Sequence, residues 1–221
     1  MEYNHMDELG FTEDKQLICT APGFLSSANA MKRMCDRFIR NGGRIYDLLT
    51  SYDNIMSFGL SREDRRSGDS LKTIVPLLKA AGATDSSVHE YFVKDMSPMP
   101  GSDVIMYMSS LMTTAVVSEA YEHHTMALCD SLKIPLDMVR STEASFDNIN
   151  MEKQEAKKFR EFAAGLSKLD VPKISSGDGM QFIDHKDQMI LDTVEDMIEK
   201  MSAADVMYQL GEVRTVGGNK A

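Results

Sequence analysis

Tryptophan is absent from the 221 residues, cysteine occurs three times and proline six times. Cys19, Cys35 and Cys129 have no C-x-x-C spacing and an odd count, which argues against a disulfide framework and fits reduced thiols. Basic residues are outnumbered: 24 Lys and Arg face 34 Asp and Glu, a formal charge of -10. Such a surface repels phosphate backbones and anionic lipid, which excludes general nucleic-acid binding. No apolar run approaches the ~18 residues of a membrane span. The opening MEYNHMDELG has neither the basic start nor the apolar stretch of a secretion signal. The expectation is a cytoplasmic protein without membrane insertion. Methionine, by contrast, is plentiful at 18 residues, a flexible filler that suits adaptable cores and adaptable surfaces, with core filling as the first reading. The length suits one domain with an insertion, or two small ones, and needs no metal or disulfide to fold.

The stretch LICTAPGFLS (17–26) begins as a buried strand and ends in a Pro-Gly break. Helical spacing then dominates 28–97: Met31, Met34, Cys35 and Phe38 share a face, and further helices are predicted over 46–58, 70–81 and from Asp85, whose carboxylate is a candidate cap. After SPMPGSDV comes a helix at 102–111 and then TTAVVS (113–118), β-branched and apolar as a parallel strand covered on both faces should be. A helix at 119–132 and a short strand at 138–142 complete a βαβ unit. Helices are predicted again at 151–169 and 187–210, joined by a loop or short strand. The result is an α/β fold with a helical insertion after its first strand. In such sheets chemistry lies beyond the carboxyl ends of the strands, here Thr20 to Leu25, Ser118 to Tyr121 and Thr142 to Ser145.

Three further constellations carry less. His123 and His124 are adjacent and so point about 100 degrees apart on a helix, which prevents easy sharing of a metal. Cys19 lies in an apolar strand with no assignable histidine partner, and reads as a small hydrophobe. The stripe Met189, Ile190, Val194, Met197, Ile198 and Met201 either covers the sheet or faces another protein. The interface reading places Met197 and Met201 at a contact with a second copy or a different subunit.

Four pieces, GDSLKTIVPLLKAAGATD (68–85), PMPGSDVIMYMSSL (98–111), VVSEAYEHHTMALCDSLKIP (116–135) and EVRTVGGNKA (212–221), together with the strand-end loops, resemble the haloacid dehalogenase-like superfamily. The nearest likeness is to the archaeal branch named after energy-converting hydrogenase A subunit R of methanogens. The resemblance implies a reduced Rossmann-like core of parallel strands at 16–27 and 98–221, with a helical cap at 28–97. It also implies an aspartate nucleophile after the first strand and a second acid two positions on, with Mg2+ neutralising the phosphate oxygens. Here those positions hold Thr20 and Pro22, and neither supplies a carboxylate. The serine or threonine ending the next strand is matched by Ser118. The lysine that orients the nucleophile has no clear match among Lys157, Lys158, Lys168 and Lys173. The closing acidic pair should follow VGG, where this sequence stops. Asp178 and Asp184 echo an acidic metal loop but read chiefly as parts of a turn.

Two functions follow as expectations. The first is a non-catalytic binding, assembly or regulatory subunit with no cofactor and a protein partner or second copy, near methanogen energy metabolism by resemblance. The alternative is a Mg2+-dependent phosphatase-type hydrolase whose acids, Asp178, Asp184, Asp47 or Asp53, are brought to the crevice by the fold. In both, Thr20 and Ser118 should flank one crevice at neighbouring strand ends.

Overall fold

A computed structural model describes residues 16–62, 68–96, 98–177, 180–204 and 207. Three strands, β1 (Gln16–Thr20), β2 (Thr113–Tyr121) and β3 (Val139–Thr142), form a parallel sheet in the order β1-β2-β3. Thr20 stands opposite Val117 and Cys19 opposite Val116, and Val116 in turn pairs with Val139. Between β1 and β2 the described residues form five α-helices, α1 (Ala30–Phe38), α2 (Gly42–Asn54, continued by a π-helical turn over Ile55–Gly59), α3 (Asp69–Ala80), α4 (Asp85–Lys94) and α5 (Ser102–Leu111). A single crossover helix, α6 (Glu122–Ser131), returns the chain from β2 to β3. Then follow α7 (Lys153–Leu166), an antiparallel hairpin of β4 (Ser175–Gly177) and β5 (Met180–Phe182), and α8 (His185–Ser202). The protein is α/β with a Rossmann-like parallel core.

β2 runs three residues past its predicted end because alternation continues: Ser118 and Ala120 are buried while Val117 and Glu119 are exposed. The Glu119 carbonyl also accepts the Thr142 hydroxyl at 2.6 Å, which commits it to the end of β3 rather than to a helix. The cap of α4 is Thr84, not Asp85: Thr84 Oγ1 accepts from the Ser87 amide and Ser87 Oγ accepts from the Thr84 amide. That leaves the Asp85 carboxylate available for other partners.

Among the described residues the sheet is covered on one face, a departure from the two-sided cover expected of β2. Cys19 and Val116 are buried with Leu128, Cys129, Leu132 and Ile134 from α6 and the turn after it. The opposite face carries Ile18, 65% exposed, and Val117, 37% exposed. A larger apolar cluster joins the inserted helices to the C-terminal ones: Met34, Leu48, Tyr52, Ile74, Phe159, Leu166, Leu191 and Val194 are members. Each fully buried side chain of this size contributes about 1.5–3 kcal/mol. The expected interface through Met197 and Met201 is corrected here. Met201 is 0% exposed and Met197 is partly buried against the same cluster. α8 packs on α7 and α2 rather than on the sheet, so its stripe finds a partner within the chain. Met189, at its outer edge, is 58% exposed.

Candidate functional site

The strand ends and the inserted helices enclose a crevice of about 260 Å3. Pro22 enters it from the loop after β1, Glu119 and Ala120 from the end of β2, and Tyr46, Thr50, Asp53 and Asn54 from α2. Gly68, Ser70 and Leu71, around the start of α3, close the far side. Asp53 is 4% exposed, and its carboxylate accepts the Ser70 amide, which fixes the start of α3 against α2. Burial first, and then neighbouring charges including Glu119 and Asp47, push the Tyr46 phenol upward, so it stays protonated and able to donate.

Of the three residues expected at this crevice, Pro22 lines it and the other two do not. Thr20 ends β1 while Ser118 lies three residues before the end of β2, and the alternation sends them to opposite faces: Thr20 stands opposite Val117 on the exposed face, whereas Ser118 is 2% exposed on the covered one. The Ser118 hydroxyl donates to the Ala21 carbonyl and accepts the Ala120 amide at 3.1 Å, so it ties the two strand-end loops together. Asp184 caps α8 by accepting the Asp187 amide at 2.8 Å, a role that accounts for its position without a metal. Asp178 lies outside the described residues. Asp47 is paired with Lys32 at 2.6 Å on the outer side of α2, so Asp53 is the candidate acid from that helix that reaches the crevice. Among the described residues no group of three or more His, Cys, Asp or Glu side chains is arranged to hold a metal ion.

Around the crevice, polar contacts lock the insertion onto the core. Asp85 Oδ2 accepts the Ser145 hydroxyl at 2.8 Å and the Asp147 amide at 3.3 Å, while Oδ1 accepts the Phe146 amide at 2.6 Å and lies 3.2 Å from His123 Nε2. Burial opposes ionisation of this carboxyl, but the hydrogen bonds from Ser145, Phe146 and Asp147 and the His123 contact outweigh it and hold Asp85 below the usual carboxylate range. The Lys79 ammonium adds a bond to the Phe146 carbonyl at 2.7 Å, and the Tyr121 hydroxyl donates to the Leu71 carbonyl at 2.6 Å. The two histidines part company as their spacing predicted. His123 turns to Asp85; His124, 2% exposed, places Nε2 3.1 Å from Ser26 Oγ with its ring edge-on to Phe92. Burial, and next the nearby Arg33, push His124 down to about 4.

All three cysteines are buried and unpaired. Burial raises the Cys19 thiol, and it pushes Cys129 up to about 12, so neither is a ready thiolate. Glu119 lies within the strand-end segment Ser118 to Tyr121 expected to carry chemistry, whereas sequence reasoning missed Ser26, Tyr46, Asn54, Asp85 as a latch and His124 as the partner of Ser26. Short-range patterning marks none of them, because their partners lie on other elements; Ser26 and His124 are 98 positions apart.

No family model matches this chain, and no curated protein matches it in sequence. The chain is similar in structure to the gene product AF1437 from Archaeoglobus fulgidus, with a TM-score of 0.73 and 18% identity. The superposition covers 91% of this chain and 58% of that one, so this chain spans a little over half the length of its structural neighbour. At that identity the likeness establishes the fold: an α/β, Rossmann-like core with helices inserted after the first strand, shared with an archaeal protein.

Proposed function

We propose that this protein is a non-catalytic, haloacid dehalogenase-like binding or assembly subunit, working in the cytoplasm of a methanogen near its energy metabolism, whose sheet is completed by a partner polypeptide. The observation that carries the reading is the one-sided sheet. Parallel sheets are ordinarily covered on both faces. Here Ile18 and Val117 stand exposed on the same face, with Ile18 opposite Ala115 and Val117 opposite Thr20, and β1 has no neighbour on its outer edge among the described residues. Thr20 at the end of β1 and Pro22 in the loop after it stand where the resemblance calls for carboxylates, which supports the absence of catalysis. Among the described residues no helix is long and apolar enough to cross a membrane.

The test is to pass tagged protein over native cell extract and identify what is retained at stoichiometric level, with Ile18→Lys and Val117→Lys as controls. Both positions are exposed, so each variant should keep its circular-dichroism spectrum while weakening the complex by about tenfold. Retention of a partner equally by wild type and variants would place the interface elsewhere. A concentration-dependent dimer of the pure protein would make the partner a second copy.

A second expectation concerns metal and turnover. Hard cations require several oxygen ligands, usually including one or two carboxylates. The first-strand loop supplies no carboxylate between Thr20 and Ser27, and among the described residues no group of three or more His, Cys, Asp or Glu is arranged to hold a metal, so calorimetry with Mg2+ should give no saturable site and a generic phosphate ester should not be hydrolysed. Mg2+-dependent turnover abolished by Asp53→Asn would establish the phosphatase reading instead.

A further inference from the structure

His124 is 2% exposed, yet only one of its two ring nitrogens is satisfied. Nε2 lies 3.1 Å from Ser26 Oγ, whereas Nδ1 is shielded from solvent and has no hydrogen-bond partner among the described residues. A neutral imidazole carries one donor and one acceptor, and leaving either unmet in the interior costs stability. Phe92, edge-on to the ring with centroids 5.0 Å apart, offers no hydrogen bond in the ring plane.

The ring borders a small cavity of about 10 Å3. That is room for one water molecule, which needs ~10–15 Å3, and for nothing larger. Ser26, Ser27, Arg33 and Asp95 line the same cavity and make its wall polar. The Arg33 guanidinium donates to Asp95 Oδ2 at 3.0 Å and to Ser27 Oγ at 3.2 Å, which fixes both acceptors in place. A carboxylate and a hydroxyl each accept more than one bond, so both serve a water as well, and a buried water makes about 2–4 hydrogen bonds. The cavity lies where the inserted helices join the core. Ser26 and Ser27 lead from β1 into them, Asp95 follows α4 at their far end, and His124 belongs to α6. The outgoing and returning chains touch here directly, the Met99 amide donating to the Leu25 carbonyl at 3.0 Å.

From the unmet ring nitrogen and the cavity beside it, we propose that this site binds a single structural water, bonded to His124 Nδ1 and bridging it to the Ser27 hydroxyl and the Asp95 carboxylate. The water joins the core helix α6 to both connections of the inserted helices. Neither the bare sheet face nor the strand-end crevice takes part in it.

The test is a high-resolution crystal structure of the full chain, together with magnetic relaxation dispersion of the water oxygen, which counts water molecules held longer than the protein tumbles. The density should show one peak in the cavity, about 2.7–3.2 Å from Nδ1. His124→Phe, which keeps an aromatic ring and removes Nδ1, should lower the dispersion amplitude by the contribution of one water. Ala30→Val, which adds bulk to a residue lining the cavity, should do the same. Circular dichroism checks both variants, and the wild-type density alone decides the matter if neither folds. A cavity without a density peak, a direct bond from Nδ1 to Ser27 or Asp95, or an unchanged dispersion amplitude in folded His124→Phe would each overturn the proposal.

Discussion

Replacing Asp85 with alanine should lower the unfolding free energy by about 2–4 kcal/mol, read as a shift in the urea midpoint with an unchanged slope. Four groups converge on this one carboxylate: the Ser145 hydroxyl, the Phe146 and Asp147 amides, and His123. Alanine leaves the Phe146 amide without its acceptor beside a ring that is fully buried, and an unmet buried donor costs more than the bond it once made. The damage is spread across the fold because Asp85 begins α4 in the insertion, whereas Ser145 to Asp147 follow β3 in the core. The pH dependence has a definite sign. The folded-state value of Asp85 is depressed, so its contribution is present above the unfolded carboxylate value of about 3.9 and is lost as pH falls through the lower folded one. Asp85→Asn should therefore flatten stability below pH ~4. An alanine variant within about 0.5 kcal/mol of wild type would show that the loop after β3 holds itself in place.

Acidification above that range should act through a different residue. His124 is buried and neutral, with a folded value pushed down to about 4, against an unfolded value near 6.5. As pH falls below ~6.5 the unfolded chain gains a proton that the folded chain refuses, so stability declines until pH ~4 and then levels, by about 3 kcal/mol in all. Urea titrations between pH 4 and 7 measure this decline. His124→Phe preserves the edge-on contact with Phe92 in outline and removes the proton site, so its stability should be flatter across the window whatever its absolute value. An identical slope in wild type and variant would assign the decline to the other histidines.

The two predictions mark where local sequence stops informing. The strands announce themselves because Leu17, Ile18 and Cys19, and Thr113 to Val117, are β-branched or apolar runs bounded by breaks, and such runs have few other uses. The helix at 70–81 is legible for the same reason: Leu71, Ile74, Val75 and Leu78 fall on one face and Gly82, at positive φ, ends it. That a crevice lies beyond the strand carboxyl ends was legible from topology. Which side chains enter it was not, because one step of strand alternation decides the matter. Thr20 ends β1 and Ser118 lies inside β2 near its end, and they point to opposite faces.

Composition, charge, the α/β order and the helical insertion were thus determined by the sequence alone, since each rests on a periodicity or a count that neighbouring residues share. Tertiary structure decided everything that depends on distant partners. Asp85 could cap its own helix or reach 60 positions away to Ser145, and Thr84 took the cap. Met201 could face a partner or a core, and α8 found α7 and α2. Asp53 could stand on a solvated helix face or line a cavity, and the start of α3 drew it inside. In each case two states lie within a few kcal/mol of one another locally, and the choice is made by burial and hydrogen bonds that exist only once the chain has closed.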